Sequence, residues 1–334
     1  MAGVLLLSLP RPTSAAPKTD VIVLLNGDHL TGEIKGMSRG RLDFKTDDAD
    51  RPQVEWVKLA SVSSVHLFQV ELGSGEKLYG VLGPGTEPGT MLVGTEPGTQ
   101  VRISEVVFLA PVDEAFLRRL RAYLDLGFSF AKSNSLLEFS TDGEIAYRGR
   151  TLGSALYVES YFQKTANTTS VGKYSVQPSG FYDFGILRAV LIGSIDHNDE
   201  LDLSLRLSVA AGPSFPVVRN SWTELWLTAG LGYDREQYTG SDPSDNATGY
   251  LAANWEAFRF DTPTLDLDIR VVIQPLLTDL GRVRGNSSVN VKYELFKDFK
   301  VGLSFTHQFD NRPPLDAPHH DYVLSFTIGW SYRR

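Results

Sequence analysis

From about residue 120 onward, apolar and polar positions alternate with a period of two, in one run after another. In the last run Tyr322, Leu324, Phe326, Ile328, Trp330 and Tyr332 alternate with Val323, Ser325, Thr327, Gly329 and Ser331. Successive side chains of a strand point to opposite faces, so one face is apolar with aromatics at both ends and the other is mostly small and polar. Other runs repeat the pattern. Val301, Leu303, Phe305 and Phe309 oppose Gly302, Ser304, Thr306 and Gln308, and Leu265, Leu267, Ile269, Val271 and Ile273 oppose Asp266, Asp268, Arg270 and Gln274. Leu201, Leu203, Leu205, Leu207 and Val209 oppose Asp202, Ser204, Arg206 and Ser208, and Leu124, Leu126, Phe128 and Phe130 oppose Asp125, Gly127 and Ser129.

This segregation predicts an all-β fold. Its main part is an antiparallel transmembrane β-barrel over residues 122–334, with about twelve strands starting near 122, 135, 152, 169, 187, 200, 221, 248, 264, 285, 299 and 321. The connections at 260–264 and 297–299 are tight, whereas 234–247, 277–288 and 310–320 read as long polar loops. In outer-membrane barrels short turns lie in the periplasm and long loops outside. The residues expected to face the lumen are Asp202, Arg206, Glu224, Asp266, Asp268, Arg270, Lys292 and Glu294, and the aromatics expected to face lipid are Tyr322, Phe326, Trp330 and Tyr332. Alternation alone does not say which face is inside. A soluble lipid-binding barrel would carry the same pattern reversed.

Residues 20–112 read as a duplicated small β-module. Val21 to Ile34 and Phe68 to Leu82 both contain a glycine followed by an acid and then x-Leu-x-Gly, so that Gly27 matches Gly75 and Gly32 matches Gly80, a period of about 48 residues. Asn26-Gly27-Asp28 and Ser74-Gly75-Glu76 are hairpin turns in this reading. Such units resemble SH3-like or Sm-like barrels, to be placed in the periplasm as a collar or a docking module for an envelope partner. Asp113 to Arg121, with acids first and basic residues last, suits a short linker helix. Val4 to Leu9 followed by Ser14, Ala15 and Ala16 reads as a signal peptide over residues 1–16.

Composition narrows the chemistry. The 334 residues hold no cysteine, which removes disulfides, zinc–cysteine sites and thiol catalysis. The net charge is −8 and no basic stripe is present, so nucleic acid is not an expected partner. No apolar run approaches the length of a membrane helix. His-x-Ser and Walker-type patterns are missing, and no enzymatic role, catalytic residue, cofactor or metal is assigned. His307 reads as an outward histidine between Phe305 and Phe309. His319, His320 and Asp321, beside Asp310 and Asp316, read as a polar loop rather than a metal site. The inner face also carries Asp125, Glu138, Glu159 and Glu256 against few cations (Lys173, Arg206, Arg270, Lys292), so an open lumen would favour cations. Trp222, Trp226 and Phe296 on that face favour an occluded one.

Several motifs occur in a familiar order: His197 to Arg206 (HNDELDLSLR), Ala229 to Tyr238 (AGLGYDREQY), Arg259 to Pro263, Leu277 to Arg284, Tyr293 to Asp298, and Phe309 to Pro314. Over about 120–334 the chain resembles DUF481, a bacterial family whose members are often labelled salt-induced outer membrane proteins. The resemblance implies a Gram-negative outer-membrane barrel, with membrane lipid and the barrel assembly machinery as partners, and no assigned activity. The expected role is a structural or stress-related envelope component. A narrow cation or solute channel is the first alternative, and a lipid-acting enzyme is a remote one.

Overall fold

The computed structural model describes residues 19–47, 52–95, 97–112, 119–132, 136–165, 170–261, 263–296, 299–313 and 319–330. The proposed signal segment, Asp316 and Tyr332 lie outside them, as do 113–118 of the expected linker helix; Leu120 and Arg121 are already strand. Among the described residues no helix is long and apolar enough to cross a membrane.

The first unit is a nine-stranded, barrel-like sheet. Its strands are β1 (Asp20–Leu24), β2 (His29–Ser38), β3 (Arg41–Lys45), β4 (Gln53–Glu55), β5 (Leu59–Leu72), β6 (Lys77–Pro84), β7 (Thr90–Val93), β8 (Thr99–Arg102) and β9 (Val106–Pro111). The duplication is visible in the backbone. Gly27 N–H donates to Leu24 O and Leu24 N–H to Asp28 O, while Gly75 N–H donates to Leu72 O and Leu72 N–H to Glu76 O. Gly27 (φ +91°) and Gly75 (φ +87°) hold the left-handed position that each turn requires. Each repeat ends in a single 3-10 turn, Trp56–Lys58 and Ile103–Glu105. The two turns meet, because the buried Trp56 indole donates to Ile103 O over 2.6 Å.

The expected pair of SH3-like units is corrected to one body. β5 pairs with β1, β6 and β9, and β9 also pairs with β2, so both repeats share a single core that includes Ile22, Phe44, Trp56, Phe68, Met91 and Leu109.

The second unit is a twelve-stranded antiparallel sheet in strict sequence order. It comprises β10 (Leu120–Ala131), β11 (Leu136–Arg148), β12 (Leu152–Lys164), β13 (Val171–Phe184), β14 (Leu187–Asn198), β15 (Leu203–Arg219), β16 (Thr223–Tyr238), β17 (Ser244–Arg259), β18 (Thr264–Pro275), β19 (Val283–Phe296), β20 (Phe299–Asp310) and β21 (His320–Trp330). The expected strand count and alternation are both present. At one end the connections span two to four residues, and at the other four to nine, from 132–135 to 311–319. The long stretches expected at 234–247 and 277–288 are shortened to 239–243 and 276–282, because polar residues continue the alternation up to Tyr238 and resume at Ser244 and Val283.

The sheet coils as in a barrel, since Arg284 on β19 reaches Asp234 and Glu236 on β16. The apolar face is turned outward. Leu124, Leu126, Phe128 and Phe130 are each at least 64% exposed, and Leu231, Leu251, Ile273 and Leu324 continue the outer face. A soluble lipid-binding barrel would need the opposite orientation, with its apolar face inside. β10 and β21 form the two edges of the strand order, each paired on one side only.

Candidate functional site

The module sits on the short-turn end of the large sheet, and this contact is the candidate site. Two hairpin tips of the module make it. At the β5–β6 tip a Cβ on Gly73 would collide with Arg219 O, and one on Gly75 would crowd Ile186. At the β2–β3 tip a Cβ on Gly40 would collide with Ser221 O. Glycine lets both tips approach the turns of the larger sheet closely.

Around the β5–β6 tip, charges interlock. Glu71, with 3% of its side chain exposed, accepts from Arg219 at 2.5 Å and from Arg148 at 3.2 Å. Lys77 donates to Asp183 at 2.9 Å and to Arg150 O at 3.1 Å, and Arg188 holds the other Asp183 oxygen at 2.7 Å. Aromatic rings fill the spaces between the guanidinium groups. Arg148 lies over Phe108 of the module (4.3 Å) and near Phe181 (5.5 Å), and Arg188 lies over Phe181 (3.9 Å) and Trp226 (4.4 Å). Arg219 approaches the same Trp226 ring at 5.3 Å. The result is a ladder of alternating rings and cations across the mouth. Burial alone would raise the Glu71 carboxyl's pKa, but Arg219 and Arg148 outweigh it and hold that pKa below the ordinary value.

The seat extends around the rim. Arg39 pairs with Glu256 (2.9 Å) and Asp266 (2.6 Å), Lys58 pairs with Asp261, Arg41 lies 3.7 Å over Phe260, and Ser221 donates to Ser104 O at 3.0 Å. These contacts reach the turns or strand ends from β11 to β18.

A second ionic cluster closes the inner face toward the long-loop end. Glu236 takes Arg206 (3.1 Å), Arg282 (3.6 Å) and Arg284, which also meets Asp234; Arg282 pairs with Asp310 at 2.7 Å. Along the opposite wall the register sets Asp125, Asp142 and Glu159 side by side on β10, β11 and β12.

Most of the lumen candidates fall on this inner face, and the pairs made by Arg206, Glu224 and Asp266 show what they meet. Glu224 accepts from Trp226 at 3.1 Å and faces Arg219. Asp268, Arg270, Lys292 and Glu294 occupy inner positions by register with their neighbours. Asp202 does not. It caps a 3-10 turn at φ +51° and is exposed, because the strand begins only at Leu203, which is itself buried at a bulge. Trp222 and Phe296, expected inside, are 62% and 59% exposed, because both sit where strands end or shift register. Tyr322, Phe326 and Trp330 stand on the outer face at 68%, 60% and 72% exposure.

The cations Arg148, Arg188, Arg219 and Arg284 also belong to the inner face and were missing from the alternation count. They lie at the ends of β11, β14, β15 and β19. The inner face is therefore more balanced in charge than its strand centres suggest. Among the described residues no group of three or more His, Cys, Asp or Glu side chains is placed to hold a metal.

The motifs noted along the chain fall on this framework: His197 to Arg206 turns from β14 into β15, and Ala229 to Tyr238 carries Asp234 and Glu236. A family model, protein of unknown function DUF481, matches residues 124–332. The chain belongs to the DUF481 family. The family region thus includes all but the first few residues of the twelve-stranded sheet, and in this DUF481 protein the module precedes it. No curated protein and no solved structure matches the chain.

Proposed function

We propose that this DUF481 protein is an outer-membrane β-barrel, exported by residues 1–16 and closed on its periplasmic side by its own module. It serves as a non-conducting, non-enzymatic envelope component. The observation that carries this reading is the outward apolar face over twelve strands, with most of the charged groups along the strands turned inward and ion-paired. A lipid-facing Arg or Lys at mid-depth costs about 2–4 kcal/mol, which gives that segregation a cause. The even strand number puts both ends of the barrel on the module's side, and the short turns there support the periplasmic assignment. Assembly in the membrane calls on the barrel assembly machinery, and the module's outer side is free to meet a periplasmic partner.

The test is expression in a Gram-negative host. The expected result is heat-modifiable gel mobility in the outer-membrane fraction, with no conductance when the full chain is placed in planar bilayers. Recovery as a soluble protein overturns the reading.

A narrow cation path is a second reading. The row Asp125, Asp142 and Glu159 supports it, since it sets three carboxylates side by side at mid-strand. Cation-selective conductance by the intact chain would decide for it.

A further inference from the structure

Two imidazoles meet on the outer face where the β20–β21 hairpin opens into its loop. His307 stands opposite Tyr322 and His320 opposite Phe309, so the two histidines are diagonal neighbours across the strand pair. His307 Nε2 and His320 Nδ1 are 3.1 Å apart, and the ring planes differ by only 9°. Phe305 flanks His307 with ring centroids 6.1 Å apart, and Phe309 flanks His320 at 5.0 Å. With Tyr322, Phe305 and the two histidines line a depression open to the surroundings.

We propose that this pair is a two-imidazole binding site for a divalent first-row transition cation of the copper or zinc type. Two nitrogens bound at 2.0–2.1 Å to one cation lie about 2.9 Å apart at a right angle and about 3.4 Å apart at the tetrahedral angle. The observed separation falls between these limits, so both nitrogens can reach one ion by ring rotation, with neither strand displaced. Imidazole suits copper, zinc and nickel, whereas magnesium and calcium prefer oxygen. Both rings bind in the neutral form, His307 keeping its proton on Nδ1 and His320 on Nε2. The present N–H···N contact then gives way by a tautomer shift, without net proton release. The flanking rings limit imidazole rotation, which lowers the ordering cost of binding. Solvent oxygen completes the coordination on the open side.

The neighbouring groups do not belong to the site. His319 Nδ1 is held against Asp310 O at 3.1 Å, and Asp321 is an inner-face residue opposite Gln308. The run His319, His320 and Asp321 is therefore split by the strand, and the partner of His320 comes from β20 instead.

Calorimetric titration of the refolded full chain in detergent with Cu²⁺, Zn²⁺ and Mg²⁺ tests the site. One site is expected, tighter for copper than for zinc, with no magnesium binding. His307→Ala and His320→Ala should each weaken binding by about tenfold or more, while His319→Ala leaves it unchanged. Unaltered affinity in the first two variants, equal loss in the third, or binding only at millimolar metal overturns the proposal. Electron paramagnetic resonance of the copper-loaded wild-type chain reads the ligands without relying on any variant's folding. Two imidazole nitrogens are expected, and a spectrum of oxygen ligands alone overturns the site.

Discussion

Glu71 and Lys77 lie directly opposite one another across the β5–β6 hairpin, and each is ion-paired to a different part of the twelve-stranded sheet: Glu71 to Arg148 and Arg219, Lys77 to Asp183. The hairpin thus offers one charge of each sign, and the mouth answers with the opposite sign at both places. Replacing one buried partner leaves the other charge uncompensated, at a cost of about 3–5 kcal/mol. Glu71→Ala should therefore undock the module. Limited proteolysis reads this as faster cleavage of the module in the variant than in the wild-type chain, and equal cleavage rates would remove Glu71 from the latch.

The same carboxylate makes the latch acid-sensitive. The pKa of Glu71 is lowered in the folded chain, so its contribution is complete above the unfolded value of about 4.3 and disappears as pH falls through the lower folded value. Hydrogen exchange at 72–77 should be slow at neutral pH and should accelerate below about pH 4. In Glu71→Gln this acid step should be largely absent.

Gly40 combines a left-handed backbone (φ +66°) with a Cβ position that would collide with the Ser221 carbonyl oxygen. Gly40→Val is strained on both counts and should loosen the β2–β3 tip from the rim. Gly89 also has positive φ (+79°), but its Cβ position is open. Gly89→Val should thus cost backbone strain only and leave docking intact. The two variants separate docking from turn strain when the proteolysis assay is repeated on each.

On the outer face Leu324→Arg should impair insertion into lipid vesicles by about 2–4 kcal/mol, whereas Ser304→Arg, on the inner face, should have a much smaller effect. Folding yield in vesicles against denaturant measures both. Equal penalties would mean that the outer face does not meet lipid.

Trp56 joins the two repeats of the module through its bond to Ile103 O and is fully buried. Trp56→Ala should cost about 3–5 kcal/mol. The full chain's denaturant profile should show the module's transition moved to lower concentration, with the large sheet's transition in place.

Period-two alternation made the strands, their number and their faces legible, because the direction of a side chain along a strand depends only on parity. Partnership was not legible. Glu71 and Arg219 are 148 residues apart, and nothing in an alternating pattern says which turn a hairpin tip will meet. Asp202 was misplaced because parity fails at a bulge, where Leu203 takes the buried position. The histidines show the same limit: three neighbours in sequence read as one cluster, but a strand sends adjacent residues to opposite faces. Only the register of β20 against β21 brings His307 to His320. The arginines of the mouth lie at strand ends, outside the alternating runs from which the inner face was read.

The strand order of the large sheet also has a kinetic meaning. Each of its pairings joins strands adjacent in sequence, so each can form as a local hairpin with little loop-closure entropy. Joining β21 to β10 is different, because it must close a loop of about two hundred residues. The sheet can therefore zip hairpin by hairpin from either end, and its two edges are the last groups to find partners. In hydrocarbon an edge with unpaired amides is not tolerated, so in the membrane setting proposed above insertion and edge closure become one event, placed at the end of folding.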